Sequence, residues 1–227
     1  MSYGYNNILA ICCGNKFILF LLAFFICGIN SENQAQGFKK GSHYLNSGLG
    51  FGVYNVTTQI GDKVSEKDAG SFIIPLNYEY GLLNQVGLGG QYQWGRYSSS
   101  DSAIQSNISS HTFLFSNTLH FLNDDLIDLY FGISYGFGTY KYRAANSTGN
   151  ETLIKGGGFA YLVSSGVKIH ITQGTGVFLG VNYNNSSYQI NTYRIDDKNE
   201  INYSRKNYNI NFTGINILCG ISIVLSE

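Results

Sequence analysis

The chain has 227 residues, only 12% of them charged, 15% aromatic, and a formal net charge of zero. Ordinary soluble domains carry roughly 25% charged residues, and a neutral chain without a basic patch interleaved with aromatics is not a nucleic-acid binder. A mean hydropathy near zero excludes a bundle of membrane helices but suits strands with one apolar face.

The N-terminus reads as a targeting segment. Lys16 precedes the apolar run Phe17 to Ile29, which is shorter than the about 20 residues a spanning helix needs and fits the apolar core of a signal peptide. Asn33 and Ala35 are small residues at a cleavage position. We therefore expect a signal peptide over 1–36, a mature start near Gln36 or Gly37, and one domain over 37–227. Cys12, Cys13 and Cys27 fall in the leader. Cys219 alone follows it, so an internal disulfide and a thiolate metal site are both excluded.

The remainder alternates with period two, and successive side chains of a strand point to opposite faces. The first predicted strand is His43 to Val56, followed by a charged loop from Thr57 to Ala69. The second, Gly70 to Gly81, puts Phe72, Ile74, Leu76, Tyr78 and Tyr80 on one face. Pro75 lacks a ladder donor there and predicts a bulge or bend. A tight turn leads to the third strand, Val86 to Tyr97, and a Ser-rich loop, Ser98 to Asn107, to the fourth, Ile108 to Leu122. The fifth, Asp128 to Tyr142, has the cleanest alternation. Leu129, Phe131, Ile133, Tyr135 and Phe137 face one way; glycines, Ser134, Tyr130 and Tyr140 face the other. The loop Arg143 to Gly156 precedes the sixth strand, Gly157 to Ile171. The seventh is Gly176 to Asn185. The longest connection, Ser186 to Lys206, leads to the last, Asn207 to Leu225.

A face made of glycines and hydroxyls is a poor hydrophobic core, whereas a continuous aromatic face suits lipid. Eight such strands with alternating long and short connections predict an all-β fold: an eight-stranded antiparallel up-and-down transmembrane β-barrel. Its lumen would be narrow and polar, with short periplasmic turns, long outer loops and both termini periplasmic. Closure removes the sheet edges.

Three stretches carry a resemblance. Pro75 to Trp94, PLNYEYGLLNQVGLGGQYQW, resembles a hairpin of the OmpA/OmpX-type small barrels. Leu119 to Gly138, LHFLNDDLIDLYFGISYGFG, resembles a hairpin of the outer-membrane barrel domains common in Bacteroidetes. Gly220 to Leu225, GISIVL, is similar to the terminal strand signal read by the barrel-insertion machinery, with Leu225 where an aromatic is usual. The resemblance implies an outer-membrane protein of a Gram-negative bacterium, in contact with outer-membrane lipids and lipopolysaccharide. It specifies fold better than function.

Glu79, His120, Lys168 and His170 share the inward face near the short turns. They predict a polar plug, with Glu79 paired to Lys168 and His120 or His170 able to join, because a charge in a narrow lumen needs a partner. Ser109, Ser110 and His111 lie near the outer rim of the fourth strand, and Ser109 and His111 share the lipid-facing parity. They are similar to the Ser–His pair of outer-membrane lipid A deacylases, but in reversed order. Gly156 to Gly158 lacks the following Lys-Ser/Thr of a phosphate loop.

The favoured reading is a monomeric, non-enzymatic barrel without a cofactor or metal, acting through its outer loops on an extracellular protein or glycan. The candidate surface is Tyr188, Tyr193, Arg194, Tyr203 and Arg205. The alternatives are a lipid-modifying enzyme and a narrow porin-like channel.

Overall fold

The structure is a computed structural model that describes residues 37–99, 105–124, 126–145, 151–195, 199–201 and 208–226. Among them there are nine strands and no helix. The strands are β1 His43–Ile60, β2 Lys63–Leu83, β3 Val86–Ser99, β4 Gln105–Asn123, β5 Ile127–Ala145, β6 Glu151–His170, β7 Thr175–Ile195, β8 Asn199–Ile201 and β9 Tyr208–Ser226. Each of β1 to β6 pairs antiparallel with the next, β6 pairs with β7, β7 with β9, and β9 with β1. The ring is therefore closed and eight-stranded. β8 lies outside it, paired only with the end of β7 at Tyr193 to Ile195.

Most ring strands are 18 to 21 residues long; β1, β2 and β4 to β7 run beyond the lengths expected from sequence, whereas β9 has the expected length. At about 3.3 Å per residue and a tilt near 40°, twenty residues rise roughly 50 Å, about twice the apolar band of a membrane barrel. The predicted loop 57–69 is a continuation of the first hairpin. Thr57 pairs with Glu66, and pairing persists to Ile60 and Lys63 around a turn at Gly61, whose φ of +60° favours glycine. Arg143 likewise pairs with Leu153, and Ser186 with Phe212.

The cause is an inversion of faces partway up every strand. On β5, Leu129, Phe131, Ile133, Tyr135 and Phe137 are exposed and face outward, and then Thr139, Lys141 and Arg143 take over. On the inner face small and polar residues end at Gly138, and the buried Tyr140 and Ala144 follow. β9 inverts at the paired level. Ile215 and Ile217 face outward, whereas Tyr208, Ile210 and Phe212 are buried inside. The lower half thus has lipid outside and polar groups within. The upper half has a polar outer surface and an apolar core. The expected polar lumen is correct only for the lower half. A reading that follows outward apolar residues loses a strand such as β5 or β7 where lipid ends.

Pro75 makes no bulge. The β1–β2 register is constant from Ser47–Leu76 to Gly50–Ile73, and β2–β3 runs through Pro75–Gln93 unshifted. The ladder merely lacks its pairs at Gly48 and Leu49, which absorbs the missing donor. Register shifts occur elsewhere, among them one between His120 and Leu122 on β4.

The chain's one tryptophan, Trp94, is the last large apolar outward residue of β3 before Arg96. In liposomes containing brominated lipids, bromines near the headgroups should quench its fluorescence more than bromines deep in the acyl chains. Stronger quenching by the deep bromines would displace the band edge from this level.

Candidate functional site

The inward face of the lower half collects ionisable residues from four walls. Glu79 comes from β2, His120 from β4, Asp128 from β5 and Lys168 from β6, and all four are nearly solvent-free. Lys168 Nζ donates to Glu79 Oε2 at 3.1 Å and lies 3.9 Å from Asp128 Oδ2. His120 Nε2 is 3.0 Å from Glu79 Oε1, and its Nδ1 is 2.8 Å from both Asp128 oxygens. A ring nitrogen facing a carboxylate oxygen must donate, so doubly protonated His120 satisfies both contacts. Two carboxylates, one ammonium and one imidazolium then sum to zero, as a buried cluster requires.

Local structure holds these groups. The extra residue of the β4 bulge, Phe121, points outward together with Leu122, while His120 points in. Bulges re-aim side chains in this way. Gly87 makes room for Glu79, since a Cβ there would stand 2.1 Å from Glu79 Oε1. Residues 37–42 close the floor. The buried Phe38 ring stacks on the His120 imidazole with centroids 3.7 Å apart, and Tyr44 stacks on Phe38 at 5.0 Å. Lys168 Nζ lies 5.4 to 5.9 Å from the ring centroids of Tyr130, Tyr44 and Phe38, within cation–π range. Asn123 ties the floor down: its Oδ1 accepts from Phe38 N at 2.5 Å, and its amide donates to Phe38 O.

Above the cluster lies a cavity of about 60 Å³, lined by Asn46, Asn77, Gln91, Ser116 and Lys168 and by the apolar Leu162, Phe178 and Leu218 among others. It is large enough for a few waters. Its ceiling begins with a chain in which Ser71 Oγ donates to Asn216 Oδ1 at 2.9 Å and Asn216 Nδ2 to the Tyr54 hydroxyl at 2.6 Å. Then comes the aromatic core. Phe212 sits among Tyr97, Tyr140, Tyr188 and Tyr54, with centroids 4.7, 5.6, 5.9 and 6.3 Å away.

The structure thus brings together Glu79, His120 and Lys168, and adds Asp128. The signal for Asp128 was present in its parity with Tyr130, and it pairs directly with Lys168 across the β5–β6 ladder. His170 is buried two ladder positions nearer the turn. Carboxylates and imidazole are metal-ligand types, but here the Lys168 ammonium already occupies the space between the two carboxylates.

The expected loop surface needs correction. Tyr188 is only 1% exposed and belongs to the aromatic core. Tyr193 packs against that core, and Arg194 is half-buried on β7. Tyr203 and Arg205 lie outside the described residues. At the alternative site, Ser110 points inward toward the Tyr97 hydroxyl at 3.3 Å. His111 points outward with its Nδ1 2.7 Å from the Tyr92 hydroxyl, so its partner is a phenol and not Ser109.

Closed ring, lipid-facing band and filled lumen coincide with a sequence match. The model of the outer membrane protein beta-barrel domain aligns with residues 19–217. The chain belongs to this family. No curated protein matches it by sequence. Among solved structures, this outer membrane barrel is similar to the outer membrane protein OprG from Pseudomonas aeruginosa. The two share 11% identity over 85% of this chain and 100% of that one, with a TM-score of 0.53. It is also similar to Ail, the attachment invasion locus protein of Yersinia pestis (13% identity, 81% and 99% coverage, TM-score 0.41), and to the outer membrane protease OmpT from Escherichia coli (10%, 81% and 97%, TM-score 0.45). At such identities the likeness shows the fold alone. The family places the protein in the outer membrane of a Gram-negative bacterium.

Proposed function

We propose that this protein is a non-enzymatic surface barrel that acts through the upper half of its strands and the tips above them. The observation that carries this reading is the filled interior. Phe38 and the four-residue ionic cluster close one end, and the aromatic core closes the other. Eight-stranded barrels have interiors just wide enough for side chains to fill, unlike the about 16 to 18 strands of porins. The ionic cluster acts as a keystone joining four walls. Its four groups are nearly solvent-free and bonded to one another, which argues against a catalytic or channel role for the lumen. The rigid upper half then presents its tips, the usual place for recognition residues on a scaffold. A protein or glycan is the partner class favoured there, with lipid and lipopolysaccharide around the band.

In this reading both termini and the turns near Asn84, Asp124 and Gly174 are periplasmic, residues 1–36 are a cleaved signal peptide, and the C-terminal strand engages the insertion machinery of a monomer. The orientation follows from the upper half needing water outside and from short turns at the opposite end. The test exchanges the tip 196–207 for a short turn and leaves Tyr188 and Ile190 in place. The variant should show normal heat-modifiable migration, keep surface labelling of a cysteine at Asp62 in intact cells, and lose cell or matrix attachment. Unchanged attachment would refute a role for this tip. Porin-like conductance of the intact protein in planar bilayers would instead establish the channel alternative.

A further inference from the structure

We infer that the outer face of β3 to β6, at the upper edge of the apolar band, is a binding site for a phosphorylated lipid headgroup. The registers place Arg96 beside Ser109, Ser109 beside Lys141, and Lys141 beside Lys155. Three interstrand steps of about 4.8 Å put these cations within about 15 Å along the circumference. Arg96, Lys141 and Lys155 are all exposed. Lys141 and Lys155 are direct cross-strand partners, an arrangement that destabilises a sheet when both are charged. Among the described residues no carboxylate pairs with any of the three, whereas the nearby Arg143 binds Glu151 at 2.5 Å.

On the outer face β7, β9 and β1 carry the neutral Asn185, Ser187, Asn211, Thr213 and Asn55, and β2 carries Asp68 opposite Asn55. A collar serving only solubility has no reason to set two lysines against each other. An anion placed between them removes the repulsion and gains charge-assisted hydrogen bonds.

The floor of the arc identifies the anion's carrier. Phe113, Phe137 and Phe159 form a row of paired residues below it, exposed by 64%, 73% and 49%. Phe137 and Phe159 touch edge to face at 6.3 Å. Between this row and the lysines, Gly157 presents no side chain, which leaves a notch beside Thr139. An amphiphile fits both levels at once, with acyl chains on the phenylalanines and phosphate on Lys141, Lys155 and Arg96. A free phosphate would use only the upper level. The outer leaflet is the level that this rim meets in the orientation proposed above, so the inference rests on that orientation. The ligand is then the leaflet's phosphorylated glycolipid.

The test compares the full barrel with the triple variant Arg96→Gln, Lys141→Gln, Lys155→Gln. Binding is measured in zwitterionic detergent against the phosphorylated glycolipid, the same lipid dephosphorylated, and inorganic phosphate. The wild type should bind the phosphorylated lipid at least tenfold more tightly than the triple variant, weaken with salt, and show no difference between the two proteins for the dephosphorylated lipid. Lys141→Arg with Lys155→Arg should retain binding. Without lipid, the triple variant should unfold at a higher temperature than the wild type, because the facing charges are gone. Should the triple variant fail to fold, Lys155→Gln alone should still weaken phosphorylated-lipid binding at least threefold. Equal affinity of wild type and variant, or inorganic phosphate binding as tightly as the lipid, would overturn the site. Labelling at Asp62 reports the orientation independently, so a wrong orientation and a missing site are distinguishable.

Discussion

Glu79→Gln should destabilise the barrel more than Glu79→Gln combined with Lys168→Met. In the native cluster the charges of Glu79, Asp128, His120 and Lys168 cancel, and all four groups are buried. Glu79→Gln leaves one uncompensated positive charge, and Lys168→Met one negative charge. The double variant retains the Asp128–His120 pair, which is neutral by itself. Breaking a buried ion pair typically costs about 3–5 kcal/mol, because the remaining charge is stranded, whereas removing both partners can be nearly neutral. Urea titration of the folded barrel in liposomes, followed by heat-modifiable migration, measures each variant. Losses that add, with no coupling beyond about 0.5 kcal/mol, would show that Glu79 and Lys168 do not act as a pair. Asp128→Asn belongs in the same set. It also leaves one excess positive charge and releases His120, so its cost should match that of Glu79→Gln.

Phe212→Ala should loosen the upper half while the membrane half stays inserted. Phe212 is only 1% exposed and touches four tyrosine rings from four other strands. Truncating a buried phenylalanine costs about 3–5 kcal/mol, part of it for the cavity left behind. The loss falls where no lipid supports the strands, so their ends should open locally. Limited proteolysis of the barrel in liposomes should cut within the upper hairpins several times faster than in the wild type. The core below Tyr54 should remain protected, and Phe212→Leu should be intermediate. Identical cleavage patterns would mean that the aromatic core does not hold the upper hairpins together.

These two results test the two halves separately because the halves obey opposite rules. In the lower half the solvent outside is hydrocarbon, so polar groups must be satisfied inside, and the ionic cluster does this. In the upper half the solvent outside is water, and burial of aromatic surface drives the packing, at about 25 cal/mol per Å² of apolar area. Tyr54 lies at the change of level, with its ring against Tyr97 and its hydroxyl on Asn216.

The sequence by itself determined the ring. Strict period two across Leu129 to Phe137, its recurrence in the other strands, and the short turns near Asn84, Asp124 and Gly174 are local signals. Outward apolar residues report lipid directly, so the eight strands and the closed barrel were legible. Glu79 with Lys168 was legible too, because inward parity near the same rim leaves two opposite charges little choice in a narrow lumen. Tertiary structure alone decided where the strands end. Past Phe137 and Ile215 the alternation continues with its faces exchanged, and only the height of the bilayer edge explains the exchange. Tyr188 shows the consequence. Its neighbours Ser187 and Gln189 mark a polar stretch, yet closure of the ring brings it 5.7 Å from Tyr140 and turns an apparent loop residue into core. Phe38 and Asp128 joined the plug for the same reason. Phe38 reaches His120 through the fold of residues 37–42 beneath the floor, and Asp128 acquires its role from the register that sets it against Lys168. Parity says which face a side chain takes, but only the closed ring says what it meets there.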